Sequence, residues 1–427
     1  MLYQKKKDNK IWLALFCYWL TLLIWQNVRT AVNRGSLDLL VKGVMLAFLV
    51  FIYLLNNRYI KRDILLICIV YLAIIAVSKL PQGIPTTDDL LYYAFPIVML
   101  LLLCGVGGEF TVNKKQLLSL CNCLIVTVSY IVLYALIVHT DSFLYAADVT
   151  NAYGNELRSF LASSHEFGLY LAFGMMAILL CMELSEHIGS FLRAVYIITF
   201  SVFAISLILT FSRTSIVAFA LMLVCYLIFF SKAKTGRQIL LISLFVLLTV
   251  LLIPSARRYL TEIVFKNNND AGRGEMLGAG WDIFMRCDLR GKLFGIDRER
   301  AQMLLYYRYR HMSFHNAYIQ VLVTNGICGI AFFATAIFIT VRSICRTLKK
   351  HLQWRSLTLL LFAFLGAACF YMMTQTTILF ASSIDSYFIS LFGIVVPQYV
   401  CNAICAGTFG EEPQPETKPV RSKYRRL

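Results

Sequence analysis

A histidine and an asparagine open an apolar segment late in the chain. His315-Asn316 is followed, after nine intervening residues, by Gly326 and Gly329 in G-x-x-G spacing. The partial positive charge of a helix N-terminus favours neutral imidazole over imidazolium, and a neutral imidazole at the water–lipid boundary can accept a proton from a hydroxyl. His315 is therefore a candidate general base. The simpler alternative is an interfacial histidine beside a helix cap, with the glycines serving close helix packing.

An arginine lies in a very short turn between two other apolar segments, in the run Ser212-Arg213-Thr214-Ser215. The serines and the threonine can cap the following helix, whose free N–H groups attract an anion. A guanidinium beside such a terminus can grip a phosphate through two parallel hydrogen bonds. The turn predicts a phosphate contact by Arg213. The alternative is an arginine that merely extends its charge towards the membrane surface.

Two further clusters are less specific. Gly272-Arg273-Gly274-Glu275 precedes Trp281, and glycines beside an arginine allow the backbone to approach a ligand, although such a turn is common in loops. Arg158 lies shortly before His165 and Glu166, where another apolar segment begins. One neutral base with several arginines suits a lipid-linked diphosphate sugar that is attacked by a sugar hydroxyl, because arginines can stabilise departing pyrophosphate without a metal.

The composition indicates what positions these groups. Of the 427 residues, 59% are hydrophobic and 15% are charged, whereas soluble domains carry roughly 25% charged residues. The apolar residues form runs of about 17 to 23, long enough to cross a bilayer as helices. We expect an all-α integral membrane protein of about twelve transmembrane helices. The predicted spans are 11–28, 37–55, 63–80, 90–106, 116–138, 166–184, 191–210, 214–230, 238–254, 315–340, 356–378 and 384–404. Walker, dinucleotide-binding and H-E-x-x-H motifs are absent, and we expect no cofactor, no metal and no nucleic acid.

Lysine and arginine in the short loops indicate the orientation. Placing both termini in the cytoplasm puts most basic loops inside, as the positive-inside rule requires. The exception is 255–314, with eleven basic and seven acidic residues, and long outer segments translocate largely regardless of charge. The sequence thus predicts nine helices in 1–254, a large extracytoplasmic loop at 255–314, three helices in 315–404 and a disordered basic cytoplasmic tail at 405–427.

Three of these stretches resemble the O-antigen ligase and polymerase family of bacterial polysaccharide assembly. Ser212-Arg213 is similar to the family's Ser-Arg step, and Arg273, eight residues before Trp281, is similar to the arginine that opens its large loop. His315-Asn316 with Gly326-x-x-Gly329 matches its most specific signature. The chain departs from the family at Ser163-Ser164-His165-Glu166, where members often carry a Pro-Asn pair.

The resemblance implies a membrane glycosyltransferase of GT-C-like architecture in the bacterial cytoplasmic membrane, with its active site on the outer face. The reaction would be a metal-independent, inverting transfer from an undecaprenyl-diphosphate-linked oligosaccharide. His315 would be the general base, with His311 as a weaker second candidate. Substrate contacts would come from Arg213, Arg273, Arg158 and Asn316. Expected partners are the lipid-linked donor and acceptor, membrane lipids and a chain-length regulator protein.

Within the family we favour the polymerase, which extends repeat units on their lipid carrier, over the ligase, which moves finished glycan to another acceptor. Two alternatives come from other classes. One is a flippase or transporter of the same lipid-linked sugar. The other is a glycosyltransferase that uses a single phosphate-linked sugar and a catalytic carboxylate, for which Asp88 and Asp89 are candidates, although adjacent aspartates in a turn more often cap a helix.

Overall fold

A computed structural model describes most of the helical core of the chain. The described residues are 11–32, 44, 47, 62–79, 96–97, 111–138, 157–161, 163–185, 188–229, 273–310, 313–379 and 383–410. They contain helices and no strand, as the composition predicts. His311, Asp88, Asp89 and most of the predicted spans 37–55, 90–106 and 238–254 lie outside these residues.

The helices that build the membrane bundle are long and apolar. Those long enough to cross a bilayer among the described residues are six: Lys114–Val138, Ser164–Leu184, Ser190–Leu209, Ala317–Lys350, Leu352–Thr374 and Ile384–Cys405. We number the helices α1 (Ile11–Val32), α2 (Arg62–Lys79), α3 (Lys114–Val138), α4 (Ser164–Leu184), α5 (Ser190–Leu209), α6 (Arg213–Phe229), α7 (Arg273–Arg286), α8 (Leu289–Phe294), α9 (Arg298–Tyr309), α10 (Ala317–Lys350), α11 (Arg355–Thr374) and α12 (Ile384–Cys405, with a π-helical segment at Ser390–Val395).

The centre of the bundle is formed by α4 and α12, which are buried along almost their whole length. Apolar residues cover most of the surface of both helices, as expected for helices that other helices enclose. Aromatic side chains fill the space between them: the ring of Trp19 lies 5.5 Å from Tyr170 and 5.1 Å from Phe388. By contrast α5 is peripheral and exposes residues such as Phe191 and Ile198, which a lipid-facing helix can do at no cost.

Several helices begin or end together at one end of the bundle. A Cβ atom on Gly168 of α4 would lie 2.7 Å from the Ser215 hydroxyl of α6, so these two helices start side by side. Helices α3 and α11 begin together at the other end, beside Phe409. The turn before α4 bonds to Ile131 in the second half of α3, so α4 and α6 start at the end opposite the start of α11. Helix α11, which packs against α6 at Gly366, is therefore antiparallel to it. We call the end with the starts of α4, α6 and α10 and the end of α11 the histidine end.

The opposite end is basic and includes the first part of the predicted tail. The backbone N–H of Lys114 donates to the Phe409 carbonyl at 3.0 Å, and the Phe409 ring packs on Trp354. Phe409 is buried. Ordered packing thus continues to Gly410, past the predicted boundary at 405, because an aromatic residue follows the last helix. Residues 411–427 lie outside the described part.

The predicted outer loop contains helices α7, α8 and α9, which pack on the first half of α10. They share a small apolar core that includes Ile283, Phe284, Leu305 and Val323. Two glycines lock this unit to α10. Gly295, directly after α8, and Gly326, inside α10, both have positive φ, and a Cβ on either would overlap the other segment's backbone.

Gly326 interrupts α10 with φ 67° and ψ −167°, a backbone conformation that is essentially restricted to glycine. The sequence treated 315–340 as one span, whereas the structure shows a longer helix with a break. The prediction that Gly326 serves close packing is confirmed, since it meets the main chain of Leu293. Gly329 instead leaves room for the side chain of Asn325 in its own helix.

We expect Gly326→Ala to lower the free energy of unfolding by at least about 2 kcal/mol, since it combines backbone strain with overpacking. Thermal unfolding of the purified protein in detergent measures this loss. The matched control is Gly366→Ala, whose new methyl would meet its nearest neighbour, Leu221, at an ordinary 3.8 Å. That variant should be neutral or slightly stabilising. Equal stability of the two variants would contradict the tight packing of α8 on α10.

Candidate functional site

His315 lies at the histidine end, two residues before the first helical residue of α10. It is half-buried, and its φ is 44°, in the left-handed region. The sequence placed the start of the span at 315, but the helix starts at Ala317, because Asn316 is the N-cap. His315 therefore lies on a turned backbone segment at the helix end and is not part of the helix.

Asn316 fixes that turned segment to two helices. Its side-chain oxygen accepts from the Ile319 N–H at 3.0 Å, which caps α10, and its amide nitrogen donates to the Met373 carbonyl at 2.9 Å, at the end of α11. Asn316 is itself buried. The structure thus gives Asn316 a positioning function for its neighbour His315, while substrate binding by Asn316 stays a prediction.

Arg213 is the first residue of α6, at the same end of the bundle, and its side chain is exposed. Ser212 caps the helix, with its hydroxyl accepting from the Ser215 N–H at 3.4 Å, so the predicted capping is confirmed. Because α6 and α11 are antiparallel neighbours, Arg213 lies beside the end of α11. Asn316 bonds to that same helix end, which places Arg213 and His315 on one face of the bundle.

A buried network joins the starts of α4 and α6. Nδ1 of His165 lies 2.9 Å from the Ser212 hydroxyl, which is 2.8 Å from the Ser215 hydroxyl. The Ser215 hydroxyl in turn donates to the His165 carbonyl at 3.1 Å. Both serines are completely buried, so the network fixes the residue before Arg213 against α4. His165 and Ser212 are 47 residues apart in the chain, and no sequence spacing pairs them.

We expect Ser212→Ala to lower the free energy of unfolding by about 1–3 kcal/mol, because buried groups lose their hydrogen-bond partner. Ser201→Ala is the matched control on α5, since that hydroxyl donates to the Ile197 carbonyl in its own helix. The control should change stability by less than about 0.5 kcal/mol. Thermal unfolding of both variants tests this, and equal stability would show that the network contributes nothing.

Arg158 projects from a turn at the same end of the bundle. The N–H of Leu157 donates to the Leu209 carbonyl at 3.2 Å, and the Ser159 hydroxyl donates to the Ile131 carbonyl at 3.1 Å. These bonds fix the turn to the end of α5 and to the second half of α3. The Arg158 side chain is exposed, so it shares the solvent-facing surface with Arg213.

Arg273 is the first residue of α7. The sequence suggested that residues 272–275 form a glycine-rich turn, but Arg273, Gly274 and Glu275 belong to the first turn of a helix. The backbone position of Arg273 is described, and the contact of its side chain with a diphosphate stays a prediction. The second candidate base, His311, lies outside the described residues.

Residues 198–334 match the family described as O-antigen ligase. The matched segment contains Arg213, Arg273, His315 and the two glycines Gly326 and Gly329. The resemblance to the O-antigen ligase and polymerase family is thereby confirmed. A comparison with curated proteins finds no match to the chain. Arg158 and the His165 segment precede the matched residues, so the part of the histidine end that departs from the family pattern lies outside the match.

Two acidic groups lie at this end, of which the sequence named Glu166 in a less specific cluster and missed Asp385. The Tyr170 hydroxyl donates to the buried Glu166 at 2.8 Å, and the Thr377 hydroxyl donates to Asp385 at 2.5 Å. The Ser163-x-x-Glu166 spacing is a capping-box signal that points to the start of α4, whereas nothing in the sequence associates Asp385 with it.

The histidine end thus presents a proton acceptor and arginines together with two carboxylates, the buried Glu166 and the half-buried Asp385. His315 can accept a proton from a hydroxyl, and Arg213 can bind an anionic group at the surface of the bundle. Within the described residues, no three His, Cys, Asp or Glu side chains come together in an arrangement that could hold a metal ion. The arrangement suits group transfer from a membrane-bound anionic donor, in keeping with the O-antigen ligase and polymerase family.

Proposed function

We propose that the chain is a polysaccharide polymerase that transfers a glycan from an undecaprenyl-diphosphate-linked donor to a hydroxyl of a lipid-linked repeat unit. The proposal includes about twelve membrane spans in a GT-C-like architecture. The observation that carries it is the position of His315 and Arg213 beside the same end of α11, within a segment that matches the O-antigen ligase family.

The proposed reaction is a single displacement. The acceptor hydroxyl attacks the anomeric carbon of the donor sugar, a new C–O bond forms on the face opposite the departing oxygen, and the configuration inverts. The hydroxyl proton passes to His315, and the sugar–phosphate C–O bond breaks to release undecaprenyl diphosphate. Arg213 and Arg273 would balance the charge that develops on the diphosphate, which is where fixed cations lower a transition state most.

The family description favours a second candidate, the ligase, because it names O-antigen ligase. Both reactions use the same donor chemistry and differ in the acceptor. Incubating the purified protein with a lipid-linked repeat unit alone distinguishes them: a ladder of products identifies the polymerase. A single transfer that requires lipid A or another acceptor identifies the ligase. Movement of the lipid across a vesicle membrane without any transfer would contradict both and indicate a flippase.

We expect chelators such as EDTA to leave the rate of transfer unchanged, since pyrophosphate is a good leaving group and the arginines supply the positive charge. Product ladders with and without chelator measure this. Adding back magnesium or manganese after chelation is the control and should have no effect. Strict dependence on a divalent cation would instead direct attention to the carboxylates, including Asp88 and Asp89.

The proposal requires the histidine end to face away from the cytoplasm. Cys287 is a poor reporter of this, because its thiol is half-buried, donates to the Ile283 carbonyl at 3.2 Å, and has its pKa raised by burial. Tyr307→Cys is a better one, since Tyr307 is 70% exposed on α9. A membrane-impermeant maleimide should label that variant in intact cells and should reach Cys405, exposed at the opposite end, only after permeabilisation. Labelling of Cys405 in intact cells, with labelling of Tyr307→Cys only after permeabilisation, would show that the proposed active site does not face outwards.

A further inference from the structure

Helix α7 exposes an apolar stripe that the proposed reaction does not use. Leu277, Trp281 and Met285 are 45%, 51% and 50% exposed. They recur every four residues, so they lie one above another on the same side of the helix. Exposed apolar side chains in a segment that the sequence describes as a hydrophilic loop indicate that another apolar surface covers them.

A second side of α7 is fixed to the start of α10. Ile283 and Phe284 are buried in the small core shared with Val323. Gly280 faces α10 so closely that a Cβ there would overlap Ile319 and would lie 3.1 Å from Phe314. This contact determines the position of α7 along the axis of the bundle. Because Phe314 immediately precedes His315, α7 lies level with the start of α10. The helix therefore lies at the histidine end, where the apolar bundle stops.

A third side of α7 is charged. Arg286 and Asp282 form an ion pair at 2.7 Å, and the hydroxyl of Tyr309 donates to the same carboxylate. The hydrogen bonds from Arg286 and then Tyr309 hold the pKa of Asp282 below its usual value, so this side stays charged at neutral pH. The apolar stripe and the charged side thus lie on different sides of α7. The side that packs on α10 is next to the stripe.

Such a division is characteristic of a helix that lies in the surface of a membrane, with its apolar side towards the acyl chains and its charges towards water. Tryptophan is enriched at this boundary because its ring is apolar and its N–H is polar. The bundle beside α7 already exposes apolar side chains to lipid, for example Ile327 of α10. An interfacial α7 would add its stripe to the exposed apolar surface at this end of the bundle.

We propose that α7 is an interfacial helix, seated through Leu277, Trp281 and Met285 in the lipid leaflet at the histidine end of the bundle. The occupant of the stripe is the bilayer itself. This seating would also hold Arg273, the first residue of α7, at the height of lipid headgroups. That consequence for diphosphate binding rests on the proposed function, whereas the seating does not.

Tryptophan fluorescence in nanodiscs tests the seating without any enzymatic assay. The emission of Trp281 is the difference between the natural protein and Trp281→Phe, a variant that retains an aromatic ring at an exposed position. We expect this component to lose more intensity to lipids brominated in their acyl chains than to aqueous acrylamide. The double variant Trp281→Phe, Arg286→Trp is the matched control, since it moves the indole to the charged side of the same helix, and it should show the reverse order.

Two results would overturn the proposal. Quenching of Trp281 by acrylamide but not by brominated lipid would show that the stripe faces water. Insensitivity to both quenchers would show that protein covers the stripe, for example a second copy of the chain. Because no transfer is measured, either result would leave the proposed function untouched, and loss of transfer in another variant would leave the seating untouched.

Discussion

We expect replacement of His315 by asparagine to abolish detectable transfer while the protein still accumulates in the membrane. Removing a general base typically costs about 10²- to 10⁴-fold in rate, which would reduce a product ladder to the unextended repeat unit. Asparagine tests the chemical function of His315 more directly than alanine does, because it removes the imidazole with less strain on the backbone. His315 has a φ of 44°, and asparagine tolerates this left-handed conformation, whereas alanine is destabilised in it by about 1–2 kcal/mol.

The comparison of His315→Asn with His315→Ala distinguishes loss of the imidazole base from strain in the backbone. If His315 is the base, both variants are inactive and only the alanine variant is measurably less stable. His351→Asn is the matched control, since this half-buried histidine follows the other end of the same helix α10 and should leave transfer intact. A His315→Asn protein with near-normal product length would show that the position serves the backbone only, and His311 would become the residue to test.

Replacing Arg213 by alanine should lower the rate of donor use by about 10²- to 10³-fold, the usual cost of removing a group that stabilises transition-state charge. Arg213→Lys should recover only part of that loss, because an ammonium group retains the charge but cannot form two parallel hydrogen bonds to a phosphate. Initial rates at varied donor concentration measure both effects. Because the side chain is exposed, we expect neither variant to change thermal stability appreciably.

Arg355 offers the matched control for Arg213. It is also exposed and is also the first residue of an apolar helix, α11, but it lies at the opposite end of the bundle. Arg355→Ala should therefore leave donor use unchanged. Unchanged turnover of the Arg213→Lys protein would contradict phosphate binding by Arg213. It would favour the alternative in which the side chain simply extends its charge to the membrane surface.

The sequence predicts best those helices that are determined by the residues of their own segment. The apolar runs 116–138, 191–210 and 384–404 correspond within two residues to α3, α5 and α12, because bilayer thickness dictates the length of an apolar helix. Helix ends depend on single capping residues and are predicted less well. The start of α10 shifts from 315 to Ala317 because Asn316, and not an earlier residue, caps it.

The helices between 273 and 309 show where a local pattern is insufficient. Their composition is mixed and charged, so the sequence describes them as loop, yet they pack on α10 through Phe284, Leu305 and Val323. The burial that stabilises α7 and α9 comes from a segment beyond Phe314 in the chain. A pattern of apolar residues within either helix does not reveal that partner.

By itself the sequence determined that this protein is a helical membrane protein, and it indicated the resemblance to the O-antigen ligase and polymerase family that the match over residues 198–334 supports. It also determined which residues could do the chemistry, because hydropathy and residue type are properties of short segments. Only the tertiary structure decided that Arg213 and His315 lie beside the same helix end, that His165 bonds to Ser212 across 47 residues, and that Gly295 and Gly326 lock the outer helices in place. These contacts join segments far apart in the chain, and their energy comes from packing that exists only once the helices have assembled.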